Sequence, residues 1–285
     1  MSQGVNPPRL IMFAGPNGSG KSTITRTFQQ QLDFPTIYIN PDEITKMIPG
    51  DESTYLERSK QGARLASNQR QLSLAIKESF AFETVMSHPS KLAILQQASD
   101  ALYDVTLVFV GTENPQINVE RVARRVQDGG HDVPTEKIIQ RYYRSMALLP
   151  QAVENANRAI IFDNTDRSVR GVVLENGQVV EQAQTIPEWI ERIITTVSTR
   201  AQERNNLLRV AANKQEIACN TAQINSGEYI GEICYVSSYY AVQQTRLFLV
   251  MHERALLNSA VEVGQVAQIR YREGVGSVEL ILSTD

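Results

Sequence analysis

The stretch AGPNGSGKST, from Ala14 to Thr23, fits the pattern Gly-x-x-x-x-Gly-Lys-Ser. Such a loop curls its backbone so that successive N–H groups point inward onto phosphate oxygens, and it works only between a strand and a helix. Both flanks are present. RLIMFA, before the loop, is an apolar run that reads as a buried parallel strand. STITRTFQQQL, after it, reads as a helix with Ile24, Phe28 and Leu32 on one face. This pairing restricts the chain to an α/β architecture with a phosphate cradle at the first strand end. Gly15, Pro16, Asn17, Gly18, Ser19, Gly20, Lys21, Ser22 and Thr23 form the candidate nucleotide-binding loop. The helix start adds its partial positive charge. Lys21 is expected to reach the β- and γ-phosphates of ATP, and Ser22 to coordinate Mg²⁺.

Four further apolar runs read as strands: TIYIN (36–40), SFAFE (79–83), DVTLVFV (104–110) and RAIIFDN (158–164). Helical patterns separate them, which predicts a doubly wound parallel sheet. None of these runs ends in Asp-Glu, as the corresponding strand of a motor-type ATPase does. A kinase acting on a hydroxyl instead needs a carboxylate at the C-terminal edge of the sheet, to take the hydroxyl proton and orient the oxygen. YINPDEI places Asp42 there, with Glu43 as the fallback base. Asp42 can also be read as a helix cap opening DEITKMI. FAFETVMS repeats the arrangement one strand on, with Glu83 emerging from an apolar run beside Thr84. A buried carboxylate needs a partner, so Glu83 is expected to meet Mg²⁺-bound water or a substrate hydroxyl. The alternative is a turn cap without a chemical role.

The segment 114–145 carries a mobile lid. Asn114 and Pro115 are a cap and a first helical residue. Val119, Val122, Ala123 and Val126 recur at helical spacing, which collects Arg121, Arg124 and Arg125 on the other face. Gly129-Gly130 and Pro134 break the helix, and Thr135 caps a second one bearing Arg141 and Arg144. Arginine binds phosphate bidentately and stays charged. Two basic helices about a Gly-Gly hinge therefore predict closure on phosphates, with Arg125 and Arg141 the strongest candidates for transition-state contacts. Asn164 and Thr165, at the end of the last core run, are placed near the adenine edge or in an ordinary turn.

Composition narrows the function. A net charge of −3 argues against a broadly basic nucleic-acid surface. No run approaches about 18 consecutive apolar residues, so no membrane span is expected. MSQGVNPPRL lacks the pattern of a secretory leader, and Cys219 and Cys234 match no metal spacing. Two reduced thiols of a cytoplasmic protein are the expectation. His88, His131 and His252 are too scattered to suggest a metal cluster.

Beyond the phosphate-binding segments, GVVLENGQVVE (171–181) reads as a hairpin turning at Asn176-Gly177. PEWIERIITTV then starts a helix that continues into a polar stretch, 201–225, read as a helical linker. From 226 the chain becomes β-rich and turn-punctuated, as in a small barrel or sandwich. The division expected is a kinase domain over 1–200, the linker over 201–225 and a small β-barrel-like domain over 226–285.

The pieces GPNGSGKST, INPDEI, FETVMS, RVARRVQDGGHDVP and RYYRS, taken in order, resemble the zeta toxin family of P-loop kinases. They span roughly residues 9–165. The resemblance implies phosphorylation of a sugar hydroxyl of UDP-N-acetylglucosamine by ATP, poisoning of cell-wall synthesis, and inhibition by an antitoxin. It assigns Lys21, Asp42, Glu83 and the lid arginines the roles argued above. One position departs. Well-known members have Glu-Gly-Thr-x-Arg after this strand, where the chain reads Glu83, Thr84, Val85, Met86, Ser87. The contact arginine is absent, so the chemistry carries over better than the substrate. A kinase on another nucleotide or on a nucleic-acid hydroxyl, and a nucleotide-dependent regulatory protein, remain as alternatives. The C-terminal segment resembles KfrB-like β modules, which imply no chemistry.

Overall fold

The computed structural model describes residues 6–129, 132–215 and 218–281, with the side chains of 52 and 211–215 left aside. Gly130 of the anticipated hinge and His131 lie outside the described residues. The chain divides into two compact units, one of Met1–Ser87 with Gln97–Ile193, the other of His88–Gln96 with Ile194–Asp285.

In the first unit, β1 (Arg9–Ala14), β2 (Ile37–Ile39), β3 (Phe80–Thr84), β4 (Asp104–Gly111) and β5 (Arg158–Asp163) run parallel in the order β2-β3-β1-β4-β5. This is the doubly wound sheet the apolar runs predict. Leu10 to Ala14 are buried without interruption, because a strand flanked on both faces by helices has no solvent side. The connecting helices are α1 (Lys21–Gln29), α2 (Pro41–Met47), α3 (Tyr55–Ala75), α5 (Pro115–Gln127) and α6 (Thr135–Glu154), while α4 (Ser90–Asp100), between β3 and β4, belongs for its first seven residues to the second unit. One core layer joins Ile11, Phe13, Ala81, Val108 and Val110 to Ile24 of α1, with Phe28, Phe34 and Tyr38 packed against it. Each such fully buried aliphatic or aromatic side chain contributes about 1.5–3 kcal/mol.

The sheet gains two antiparallel strands, β6 (Val169–Glu175) and β7 (Gln178–Gln182). They turn at Asn176 (φ 48°) and Gly177 (φ 76°), the paired positive values that a two-residue hairpin needs.

α7 (Glu188–Gln215) is one continuous helix. It carries much of the polar stretch read as a linker. Leu207 on it is buried in the second unit against Tyr240, Val242, Leu249 and Met251. That unit is a six-stranded sheet in the order β13-β12-β9-β10-β11-β8. The strands are β8 (Cys219–Thr221), β9 (Glu228–Val236), β10 (Tyr240–Gln244), β11 (Leu249–Glu253), β12 (Val266–Arg272) and β13 (Val275–Leu280). Its His88–Gln96 segment is anchored by Gln96, which donates to Ala222 O (3.0 Å) and accepts from Ile224 N (2.9 Å). His252 is wholly buried, with Nδ1 on the Tyr271 hydroxyl (3.0 Å) and Nε2 on Gln243 Oε1 (3.1 Å). Gln243 Nε2 donates to the Gly231 and Ala267 carbonyls, so its Oε1 accepts and His252 Nε2 carries the proton. Among the described residues no helix is long and apolar enough to cross a membrane.

Candidate functional site

The loop from Gly15 to Gly20 runs from the end of β1 to the start of α1. Two glycines are dictated by their surroundings. Gly15 has φ +146°, and a Cβ there would meet Val110 O at 2.1 Å. Gly18 has φ +76°, and a Cβ there would meet Asn118 O at 2.5 Å. Lys21 Nζ donates to Pro16 O at 2.8 Å, arching over the loop. Burial pushes its ammonium pKa down to about 8. Glu83 and Asp42 act against that shift, whereas Arg125 and Arg141 add to it. All four groups therefore lie within electrostatic reach of Lys21. Thr23, in the first turn of α1, is exposed and its N–H bonds to Gly20 O (3.1 Å).

Asp42 and Glu83 flank this lysine. The cap of α2 is Asn40, whose side chain accepts from Asp42 N at 2.9 Å, with Pro41 in the first turn. The helix-cap task that competed for Asp42 thus falls to its neighbour, and the Asp42 side chain is exposed. Glu83 is 7% exposed at the end of β3. Its Oε2 accepts from Ser22 Oγ at 3.1 Å, while Oε1 is buried with no hydrogen-bond partner. An unpaired buried carboxylate oxygen beside a serine hydroxyl and a lysine is a suitable donor set for Mg²⁺ or its water, since Mg²⁺ takes oxygen ligands. Thr84 Oγ1 accepts from Met86 N at 3.2 Å, shaping the turn after Glu83. Met86 holds φ 54° there.

The lid arginines separate. Arg141 Nη1 donates to Asn17 Oδ1 at 3.1 Å, in the loop itself. Burial lowers its pKa and nearby Asp42 opposes this. Arg125 is exposed and acts on Lys21 through charge. Arg121 instead donates to the Asn164 and Thr165 carbonyls at 2.7 and 2.9 Å. Arg124 and Arg144 are exposed. Asn164 sends its amide to Ser19 O (2.8 Å), so it braces the loop. Thr165 Oγ1 donates to Asp163 Oδ1 (2.7 Å) and accepts from Glu113 N (3.0 Å).

Four supporting side chains receive no role from the sequence alone. Asn118 is fully buried and donates to Asn17 O at 2.7 Å, clamping α5 onto the loop. Thr112 bonds to Asn118 Oδ1, and its carbonyl accepts from Tyr142 Oη at 2.8 Å, which brings α6 into the same network. Ser145 donates to Val85 O at 2.6 Å, tying α6 to the turn after Glu83. A polar Asn at position 118, inside an otherwise apolar stripe, was the one available signal.

Against protein families, the zeta toxin model matches residues 2–171, more than half of the chain. The chain belongs to the zeta toxin family. The KfrB domain model matches residues 228–280 of this zeta toxin family member. An uncharacterized protein of Haemophilus influenzae is 31% identical over 142 residues, covering 47% of this chain and 92% of that protein. Among solved structures, the AvrRxo1-ORF1:-ORF2 complex with ATP has a TM-score of 0.51 at 13% identity, covering 66% of this chain and 64% of the other. It shares the fold. A chain of the PezAT toxin–antitoxin system of Streptococcus pneumoniae is similar at a TM-score of 0.45 and 15% identity, over 71% of this chain and 90% of that one. Family and fold together make this zeta toxin family member a nucleotide-dependent kinase-type phosphotransferase.

Proposed function

We propose that the protein transfers the γ-phosphoryl group of ATP to a hydroxyl of a small-molecule acceptor, with Asp42 as the general base. The observation that carries this is Asp42 itself. Its carboxylate is exposed at the sheet edge, released from capping by Asn40, and within electrostatic reach of Lys21 and Arg141. In the reaction Asp42 accepts the acceptor proton while the hydroxyl oxygen bonds to the γ-phosphorus. The bond from that phosphorus to the β–γ bridging oxygen breaks, and ADP leaves. Lys21, Arg125 and Arg141 hold charge developing on the phosphoryl oxygens, the term that dominates phosphoryl transfer. Gly15 to Thr23 cradle the phosphates, Arg121 and Asn164 shape the base end of the cleft, and Arg124 and Arg144 reinforce the basic lid. Ser22 and Glu83 would hold Mg²⁺, which supplies further charge neutralisation when bound. Glu83 and Thr84 would meet the acceptor from its other side.

The acceptor we favour is a UDP-sugar such as UDP-N-acetylglucosamine, and the cellular role that of a cytoplasmic toxin restrained by an antitoxin protein. The family supports the toxin role. The similar AvrRxo1-ORF1:-ORF2 structure is a complex of two chains with ATP, which supports both ATP and a protein partner. One observation favours a second reading: Ser87 stands where well-known members carry the sugar-nucleotide arginine. A different nucleotide hydroxyl then becomes the acceptor. We assign no residue of the second unit to this chemistry, and assign that unit to partner binding or regulation.

Purified protein incubated with Mg²⁺-ATP and either UDP-N-acetylglucosamine or a metabolite extract tests this by mass spectrometry. A phosphorylated UDP-sugar is the expected product. A labelled product from the extract alone moves the acceptor to the second reading, and ATP hydrolysis with no phosphorylated product overturns the kinase reading.

A further inference from the structure

Asn17, in the phosphate loop, is gripped by both lid helices. Its carbonyl accepts from Asn118 Nδ2 of α5 at 2.7 Å, and its side-chain Oδ1 accepts from Arg141 Nη1 of α6 at 3.1 Å. The first grip is braced in turn. Asn118 is fully buried, and its own Oδ1 takes the hydroxyl proton of Thr112. Thr112 O accepts from Tyr142 Oη at 2.8 Å, one residue along α6 from Arg141. The bonds therefore close a ring through Asn17, Asn118, Thr112, Tyr142 and Arg141. Such a ring fixes where Asn17 Oδ1 stands, and with it the guanidinium bound there.

The same bond decides which part of that guanidinium is left over. A guanidinium carries five N–H donors in one plane. Asn17 takes Nη1, and among the described residues Nε and Nη2 have no hydrogen-bond partner. Those two nitrogens share one edge and point their N–H bonds in parallel, the pattern that binds a phosphate through two oxygens. Lys21 and Asp42 lie within electrostatic reach of the group, which puts it at the cleft.

We propose that Asn17 is a positioning residue for Arg141: its side-chain oxygen holds the guanidinium at the loop before nucleotide arrives and leaves the Nε–Nη2 edge for the terminal phosphate. This rests on the reading of Arg141 as a phosphate contact. Without that hold the long side chain is ordered only on binding, which costs about two- to tenfold in affinity.

Calorimetry of ADP and of the non-hydrolysable β–γ imido analogue of ATP, both with Mg²⁺, reads the contact to the terminal phosphate without turnover. The quantity compared is the ratio of the two affinities, from which effects on the rest of the loop divide out. Arg141→Met should lower the preference for the analogue by at least about tenfold, the scale of a lost hydrogen bond to a charged group. Asn17→Ala removes the acceptor oxygen and should lower the preference by about two- to tenfold. Added to Arg141→Met, the same change should lower it no further, because Asn17 acts through the arginine. If Arg141→Met loses the preference and Asn17→Ala keeps it, this inference fails while the reading of Arg141 stands. If Arg141→Met keeps it, both fail. A further loss when Asn17→Ala is added to Arg141→Met shows Asn17 acting on the phosphate directly and likewise overturns the inference.

Discussion

The Lys21 ammonium makes nucleotide binding depend on pH in a calculable way. In the free protein burial holds its pKa near 8. Phosphates seated in the loop require the charged form and raise that pKa well above 8, because opposite charge at close range favours the ion. The sign follows. Below pH 8 the lysine is charged both free and bound, and affinity is level. Above it the free protein has lost a proton that the complex holds, so binding takes up a proton and weakens about tenfold per pH unit. From pH 7 to pH 9, a pKa of about 8 takes the charged fraction of free Lys21 from about nine-tenths to about one-tenth. ADP affinity should fall about tenfold over that interval, about 1.4 kcal/mol. The nucleotide's terminal phosphate titrates near pH 6 and contributes little there. Calorimetry without Mg²⁺ at pH 8.5, in two buffers of different ionisation enthalpy, should show uptake of about 0.8 proton per ADP, and Lys21→Met should abolish it. Affinity that stays level to pH 9, or proton release, would refute the argument.

Other perturbations have equally definite outcomes. Gly18→Ala places a Cβ 2.5 Å from Asn118 O at φ +76°, so the loop must move, and ADP affinity should drop at least about tenfold with a lower melting temperature. Retained affinity on titration would show that the clamp between α5 and the loop yields easily. In the second unit, burial pushes the His252 imidazole down to about 3, against about 6.5 unfolded. Stability is therefore full above about pH 6.5 and lost as pH falls toward 3, with about 2 kcal/mol gone by pH 5. Hydrogen exchange of the β10–β12 amides at pH 7 and pH 5 measures it, and His252→Phe should shrink the difference. Gln96→Ala leaves the Ala222 carbonyl and the Ile224 N–H without their side-chain partner, at a cost of about 1–3 kcal/mol. The variant should melt below the parent chain, and an unchanged melting curve would count against that role for Gln96.

The residues of the candidate site were readable where chemistry depends on local order. The loop, the strand-end carboxylates Asp42 and Glu83 and the basic helices all show as short motifs on one stretch of chain. What was not readable depends on contacts between distant stretches. Asn118 meets Asn17 across 101 residues, and Arg121 turns to carbonyls 43 and 44 residues away. Spacing puts three arginines on one helix face without saying which finds phosphate and which finds backbone. Asp42 and Asn40 both suit a helix start, and only the observed hydrogen bond assigns the cap to Asn40. The polar run after residue 200 reads as a linker because its apolar positions are few. Leu207 shows how one of them, set on a long helix, joins a core built by strands more than thirty residues later. β8, three residues with two exposed, carries too little pattern to be seen in advance.

The central claim is that Asp42 takes the acceptor proton in a phosphoryl transfer. Asp42→Asn leaves the Asn40 cap intact and preserves shape while removing the base. The decisive measurement is phosphorylated product by mass spectrometry together with ADP affinity by calorimetry, on one preparation of each protein. The account predicts ADP affinity within about twofold of the parent and transfer reduced by about 10²–10⁴-fold, the range for loss of a general base. Transfer near the parent rate in Asp42→Asn, with nucleotide binding preserved, would contradict it.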